Sequence, residues 1–209
     1  MRRGGLTATD RLHLRWGYTV SWLGERNGLW WVPTFLGDMN RRDRTAWASA
    51  ATWGDLGELV VAWLHGRIRQ TPGHCAPPCD ETIPLIPVLT LANRAGFVTD
   101  GSQFAADEWW GTCDAYVTGF AADDAALALS RAIEGTPLIM SACRGREHSG
   151  HGRGWRGCPS GHEFWQDACP HTADVIADAW YVTITDPEPG RNDRLWPALE
   201  KFASERAAA

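Results

Sequence analysis

The stretch CDAYVTGFAADDAALALSRAIEGTPLIMSA, residues 113–142, contains a strand-like, a helix-like and a second strand-like segment in succession. CDAYVTGF has the β-branched and aromatic content of a strand, and ADDAALALSRAIEG begins with acidic residues and ends at Gly135, as helices do. PLIMSA is apolar throughout, which is typical of a strand at the centre of a sheet. Strand, helix and strand in succession predict a right-handed crossover within one sheet. We therefore expect an α/β fold, with α+β as the alternative.

Elements on either side extend this unit to a small mixed sheet with about four helices. DLGELVVAWLHGRI, residues 55–68, repeats apolar residues at the spacing of an amphipathic helix. Residues 83–95 predict a second helix, whose two prolines must fall in its first turns. Short strands are predicted at 97–100 and 177–187, and a last helix at about 197–206.

The N-terminal part of the chain has a different character from the rest. Residues 12–36 resemble one or two short strands with a hairpin-like turn at ERNG, and a polar connector follows them. We therefore divide the chain into an N-terminal β arm, residues 1–43, and an α/β domain, residues 44–209.

A long loop, residues 143–171, follows PLIMSA and is rich in glycine, arginine, histidine and cysteine. Its candidate metal ligands are Cys158, His162, Cys169 and His171, and an earlier loop offers Cys75 and Cys79 as an alternative pair. Zinc favours four nitrogen or sulfur ligands in a tetrahedron, so these residues predict a structural zinc site that would fix the loop. The alternative is a loop whose cysteines and histidines bind no metal.

The same loop contains Arg144, Arg153 and Arg156, interleaved with histidines and a tryptophan. Arginine beside an aromatic ring can contact phosphate and stack on a base, so local contact with nucleic acid is one hypothesis. The chain has a net charge of −5 and a pI of about 5.8, which argues against a general nucleic-acid coat. A solvated basic loop is the favoured alternative.

Polar residues also follow the predicted strands. Asp100, Ser102 and Gln103 follow one strand, Arg144 follows another, and Asp186 follows the last. In parallel sheets, ligands bind beyond the carboxyl ends of the strands, so these side chains predict a cleft for a small polar ligand. The alternative for residues 100–102 is an ordinary turn, which favours the same residue types.

Several reaction classes are not indicated. The single lysine, Lys201, lies on the predicted last helix, so neither a P-loop nor a Schiff-base site is available. Hydrolase and zinc-protease motifs are absent, and GRGWRG at 152–157 lies too far beyond a strand to be a dinucleotide fingerprint. No signal peptide and no apolar run long enough for a membrane span is present, so we expect a soluble cytoplasmic protein without a membrane partner.

Two motifs carry a resemblance to a known family. NRAGFVTDGSQ, residues 93–103, and GRNDRLWPAL, residues 190–199, resemble a family of uncharacterised actinobacterial proteins of Streptomyces type, described as a domain of unknown function and associated with mobile elements. The resemblance covers roughly residues 45–200. Family members continue Ser-Gln with Pro-Gly, whereas Phe104 and Ala105 stand here. The resemblance implies a fold and a source but no catalytic residue.

Three functional hypotheses follow. The leading one is an accessory binding protein that presents the 143–171 loop and some of its 13 tryptophans to a protein partner or a small ligand. The second is a small enzyme whose cleft uses Asp100, Ser102, Gln103 and Asp186. The third is local nucleic-acid contact through the loop arginines.

Overall fold

A computed structural model describes residues 39–74, 76–105, 107–108, 111–144, 175–176 and 178–208. Within these ranges the chain forms five α-helices and a four-stranded antiparallel sheet, which confirms a fold of mixed α and β elements. The predicted strands of the N-terminal arm, within residues 12–36, and most of the 143–171 loop lie outside the described residues.

The first described helix, α1, spans Arg41–Ala48, where the sequence indicated a polar connector. Asn40 caps its start by accepting a hydrogen bond from the backbone N–H of Asp43. Asp43 is itself buried and accepts from the backbone N–H groups of Arg69 (3.0 Å) and Gln70 (3.1 Å). Helix α1 spans the predicted boundary at residues 43–44, and the division into an arm and a domain stays a prediction.

Helix α2, Trp53–Leu64, forms where its periodicity predicted it. Thr52 and Asp55 make a reciprocal capping box at its start. The Asp55 carboxylate accepts hydrogen bonds from the backbone N–H groups of residues 51 and 52 and from the Thr52 side chain, and these bonds lower its pKa. Gly66 follows the helix with a φ of +71°, a left-handed conformation that ends helices and that glycine adopts most readily.

Helix α3, Ile86–Arg94, is preceded by a 3₁₀ turn at Ile83–Leu85, and each has a proline within its first two positions, as expected. Gly57 of α2 is the point where these helices touch, since a Cβ there would lie 2.5 Å from the carbonyl oxygen of Asn93. Helix α4 spans Asp123–Ala132 and helix α5 spans Leu195–Ala207, close to their predicted positions.

The strands are β1, Phe97–Gln103; β2, Asp107–Glu108; β3, Gly111–Thr112; β4, Tyr116–Ala121; β5, Ile139–Arg144; and β6, Trp180–Thr185. Strands β2 and β3 form a small antiparallel pair, and the main sheet has the order β1-β4-β6-β5. All three pairings in the main sheet are antiparallel, so the prediction of a mixed sheet is wrong in this respect and the α+β alternative describes the sheet better.

The position of β5 in the sheet also differs from the prediction. The apolar stretch PLIMSA predicted a central strand, but β5 pairs with β6 at one edge of the main sheet, and Ile139 is 58% exposed. Strands β4 and β5 still run in the same direction, because each is antiparallel to β6. Helix α4 therefore joins them in a crossover that passes over β6 instead of linking direct neighbours.

The helices cover one face of the main sheet. One row of paired positions crosses the four strands and faces the same side of the sheet: Thr99, Gly119, Val182 and Ala142. Helix α3 reaches this face through the hydrogen bond between Asn93 Nδ2 and Thr99 Oγ1 (2.8 Å). Helices α2 and α3 pack on β1, α4 packs on β4 and β6, and α5 lies against α3 and α4. Part of the buried core lies between these layers, and Val98 and Phe120, on the opposite face of the sheet, are also fully buried.

Candidate functional site

The structure places Asp100, Ser102 and Gln103 within β1, not in a turn after it. Asp100 occupies a bulge where the pairing with β4 shifts between Thr99 and Gly101. The hydroxyl of Tyr181 donates to its carboxylate at 3.3 Å, and His74 Nε2 hydrogen-bonds to its backbone carbonyl. Asp100 therefore lies in the middle of β1 and not at its end, and Tyr181 ties it to β6.

Asp186 follows β6 and is fully buried. Its Oδ1 accepts hydrogen bonds from the backbone N–H of Glu188 (3.1 Å) and from Arg194 Nη1 (3.3 Å). Its Oδ2 has no hydrogen-bond partner among the residues that the structure describes. These contacts fix the turn between β6 and α5, which gives Asp186 a structural role.

The remaining strand-end candidates lie at both ends of the main sheet. Gln103 and Thr185, the residue before Asp186, share one end because both pair with Tyr116. Arg144 is the last residue of β5 and lies at the other end, where it pairs with Trp180. An antiparallel sheet alternates its strand ends in this way, so the predicted cleft does not gather in one place. An enzymatic role for these residues stays a prediction.

Arg144 instead forms a cluster with two residues that the sequence analysis did not single out as a site. Its Nη2 donates to Asp123 Oδ1 at 2.6 Å, and Trp180 Nε1 donates to the same oxygen at 2.8 Å. The guanidinium carbon of Arg144 lies 4.7 Å from the centroid of a Trp180 ring, a cation–π contact. Three functional groups therefore hold one another in place at the edge of the sheet.

This cluster lines a cavity of about 340 Å³ between α4 and the β5–β6 edge. We call it the edge groove, and its walls are Asp123, Ala126, Leu127, Ala142, Arg144 and Trp180. It exists because α4 packs over β4 and β6 while β5 continues the sheet beyond the helix. Leu127 remains 52% exposed at its rim. The groove thus combines an ion pair and an indole ring with small aliphatic side chains.

A second ion pair fixes the start of α4. Arg206 Nη1 lies 2.7 Å from Asp124 Oδ2, and this hydrogen bond holds the pKa of Asp124 below its ordinary value. Arg206 also donates to the carbonyl oxygen of Ala95, so it joins α4, α5 and the end of α3. Asp124 is bound to Arg206 of α5, so Asp123 is the acidic residue of this first helix turn that lines the groove.

The predicted zinc ligands Cys75, Cys158, His162, Cys169 and His171, together with Arg153 and Arg156, lie outside the described residues. Cys79 is described and exposed, and its Sγ lies 3.2 Å from Thr82 Oγ1. Within the described ranges, no group of three or more histidine, cysteine or acidic side chains is arranged to hold a metal ion. The zinc site therefore stays a prediction.

None of the helices in the described part of the chain combines the length and apolar character that a membrane span requires. Comparison with curated proteins gives no match. One family model, described as a domain of unknown function (DUF6919), matches residues 42–153 and 154–205, which is most of the chain. The predicted actinobacterial source and the link to mobile elements are not addressed by this match. The chain therefore belongs to the family described as domain of unknown function DUF6919.

Proposed function

We propose that this protein is a non-catalytic binding protein whose ligand occupies the edge groove. The observation that carries the proposal is the cluster of Asp123, Arg144 and Trp180 at the wall of a 340 Å³ cavity. Small-molecule sites combine apolar walls with a few fixed polar groups, at volumes of roughly 300–1,000 Å³. The groove has both features and lies at the small end of that range.

The polar groups of the groove are fixed before any ligand arrives. Asp123 Oδ1 accepts from both Arg144 and Trp180, and the stacking of the guanidinium on the indole limits its rotation. Fixing side chains in advance lowers the entropy lost on binding. The groove is also open to solvent, since the side chains of Arg144 and Asp123 are 41% and 74% exposed.

The loop that begins beside the groove belongs to the same proposal. Cys158, His162, Cys169 and His171 follow Arg144 in sequence, and two cysteines with two histidines are a donor set that suits structural zinc. Zinc bound there would fix the segment that leaves β5. Elemental analysis of the purified chain tests this part: we expect one zinc per chain, and metal-free protein whose melting is unchanged by chelator contradicts it.

The groove itself can be tested with three small aromatic probes: benzoate, benzamide and benzylamine. Saturation-transfer NMR reports which of them contact the full chain. Ala142→Trp places an indole in the groove, and Ser141→Trp is its matched control because Ser141 is exposed on the opposite face of the same strand. We expect at least one probe to bind the unmodified chain and Ser141→Trp but not Ala142→Trp. Equal binding to both variants contradicts the proposal.

A further inference from the structure

We infer that the ligand of the edge groove carries a carboxylate on a small, flat, apolar body such as an aromatic ring. This inference rests on the proposed function, because it names the chemical class of ligand for the same groove. It is drawn from the charge, the shape and the exposed donors of the groove residues.

The carboxylate would bind Arg144. A guanidinium has five N–H donors in a planar fork, and Asp123 is the acceptor that Nη2 contacts within the described part of the chain. The remaining edge of the fork can bind a second carboxylate through two parallel hydrogen bonds. The stacking on Trp180, with the guanidinium carbon 4.7 Å from the ring centroid, keeps that fork in a fixed plane.

The local charges favour an anion over a cation. The Asp123 carboxylate is compensated by donors from Arg144 and Trp180. Asp123 is also the first residue of α4, where the backbone dipoles place partial positive charge. A cationic ligand approaching Asp123 would therefore meet both a guanidinium and the positive end of a helix. An anionic ligand meets the same two groups with the favourable sign.

The body of the ligand would lie against the aliphatic wall formed by Ala126, Leu127 and Ala142. Two of these side chains are methyl groups, so they leave room for a flat ring. Leu127 is exposed over about half of its surface and would be covered by such a ring. A volume of about 340 Å³ is large enough for a substituted benzene ring.

The test follows the indole N–H of Trp180 by ¹H–¹⁵N NMR of the full chain, with the signal assigned from Trp180→Phe. We expect benzoate to shift this signal with saturation, and benzamide to need about tenfold higher concentration because charge-assisted hydrogen bonds are stronger. Benzylamine should bind more weakly still. Arg144→Ala should weaken benzoate by about tenfold, and Arg144→Lys should weaken it by a smaller factor since it keeps charge without the fork. Arg94→Ala, at an exposed arginine of α3 that pairs with Glu58, should leave benzoate binding unchanged.

The outcomes separate this inference from the proposed function. If benzamide or benzylamine shifts the Trp180 signal at least as strongly as benzoate, the carboxylate is not the recognised group, although the groove still binds. The same holds if Arg144→Ala and Arg144→Lys bind benzoate as the unmodified chain does while retaining its spectrum elsewhere. If none of the three probes shifts the signal, both the inference and the proposed function are overturned.

Discussion

Asn93 offers the sharpest test of how the stretch NRAGFVTDGSQ, residues 93–103, builds the sheet. The residue is 1% exposed, and its side chain makes three hydrogen bonds. Nδ2 donates to the Leu89 carbonyl and to Thr99 Oγ1, both at 2.8 Å, and Oδ1 accepts from the Thr99 backbone N–H at 3.0 Å. Asn93 therefore joins the end of α3 to β1, which is an edge strand of the main sheet in the described part of the chain.

Asn93→Ala removes all three bonds and leaves the N–H of Thr99 buried without a partner. At about 1 kcal/mol for each net hydrogen bond, with an added penalty for the buried N–H, the loss is roughly 3–4 kcal/mol. The better helix propensity of alanine returns about 0.5 kcal/mol. We therefore expect the free energy of unfolding to fall by about 3 kcal/mol.

Urea unfolding followed by far-UV circular dichroism measures this change, provided that the dependence on urea concentration keeps its slope. Thr99→Val is the matched control, because it removes one of the three bonds and should cost about 1 kcal/mol. A loss below about 1 kcal/mol for Asn93→Ala, or a loss no larger than that of Thr99→Val, would show that these three bonds do not hold α3 to β1.

Three further predictions concern the rest of the fold. Gly119→Ala should lower the free energy of unfolding by about 3 kcal/mol in urea titrations, because the new Cβ would lie 2.4 Å from the backbone oxygen of Val98. A loss below about 1 kcal/mol would show that β1 can move aside. Arg194→Met should lower the free energy of unfolding by about 3 kcal/mol in the same assay, because it leaves buried Asp186 without its charged partner. An unchanged free energy would mean that the ion pair does not stabilise the fold. The pKa of Asp124 is lowered by its hydrogen bond with Arg206, so the stabilisation from this pair is present above the ordinary aspartate pKa and is lost as the pH falls through the lowered value. Asp124→Asn should therefore flatten the fall in stability below about pH 4, and an unchanged acid limb in pH-dependent thermal melts would contradict this.

The helices α2 to α5 could be predicted from sequence because their signals are local. Thr52 and Asp55 sit three residues apart at the start of α2, and Gly66 lies just after it. Helix α1 carries a local capping signal in Asn40, but the helix is short and polar, and its buried Asp43 accepts hydrogen bonds from the backbone N–H groups of residues 69 and 70. That contact is long-range in sequence and has no local pattern.

The arrangement of the strands could not be predicted for the same reason. The apolar composition of β5 is typical of a central strand, but its position depends on pairing with β6 across the long loop. The edge groove was missed with it, although Arg144 was a candidate. Arg144 and Trp180 are 36 residues apart in sequence and become neighbours only in that antiparallel register. The groove can therefore be identified from the β5–β6 pairing but not from the residue types alone.

Photolabelling can show whether ligands bind at the edge groove. The chain would be irradiated with 4-benzoylbenzoate, whose ketone inserts into nearby C–H bonds, and digested for mass spectrometry. We expect labels within residues 123–127 and 142–144, and their loss in Ala142→Trp but not in Ser141→Trp. Labels confined to other parts of the chain, or unchanged in Ala142→Trp, would contradict this expectation.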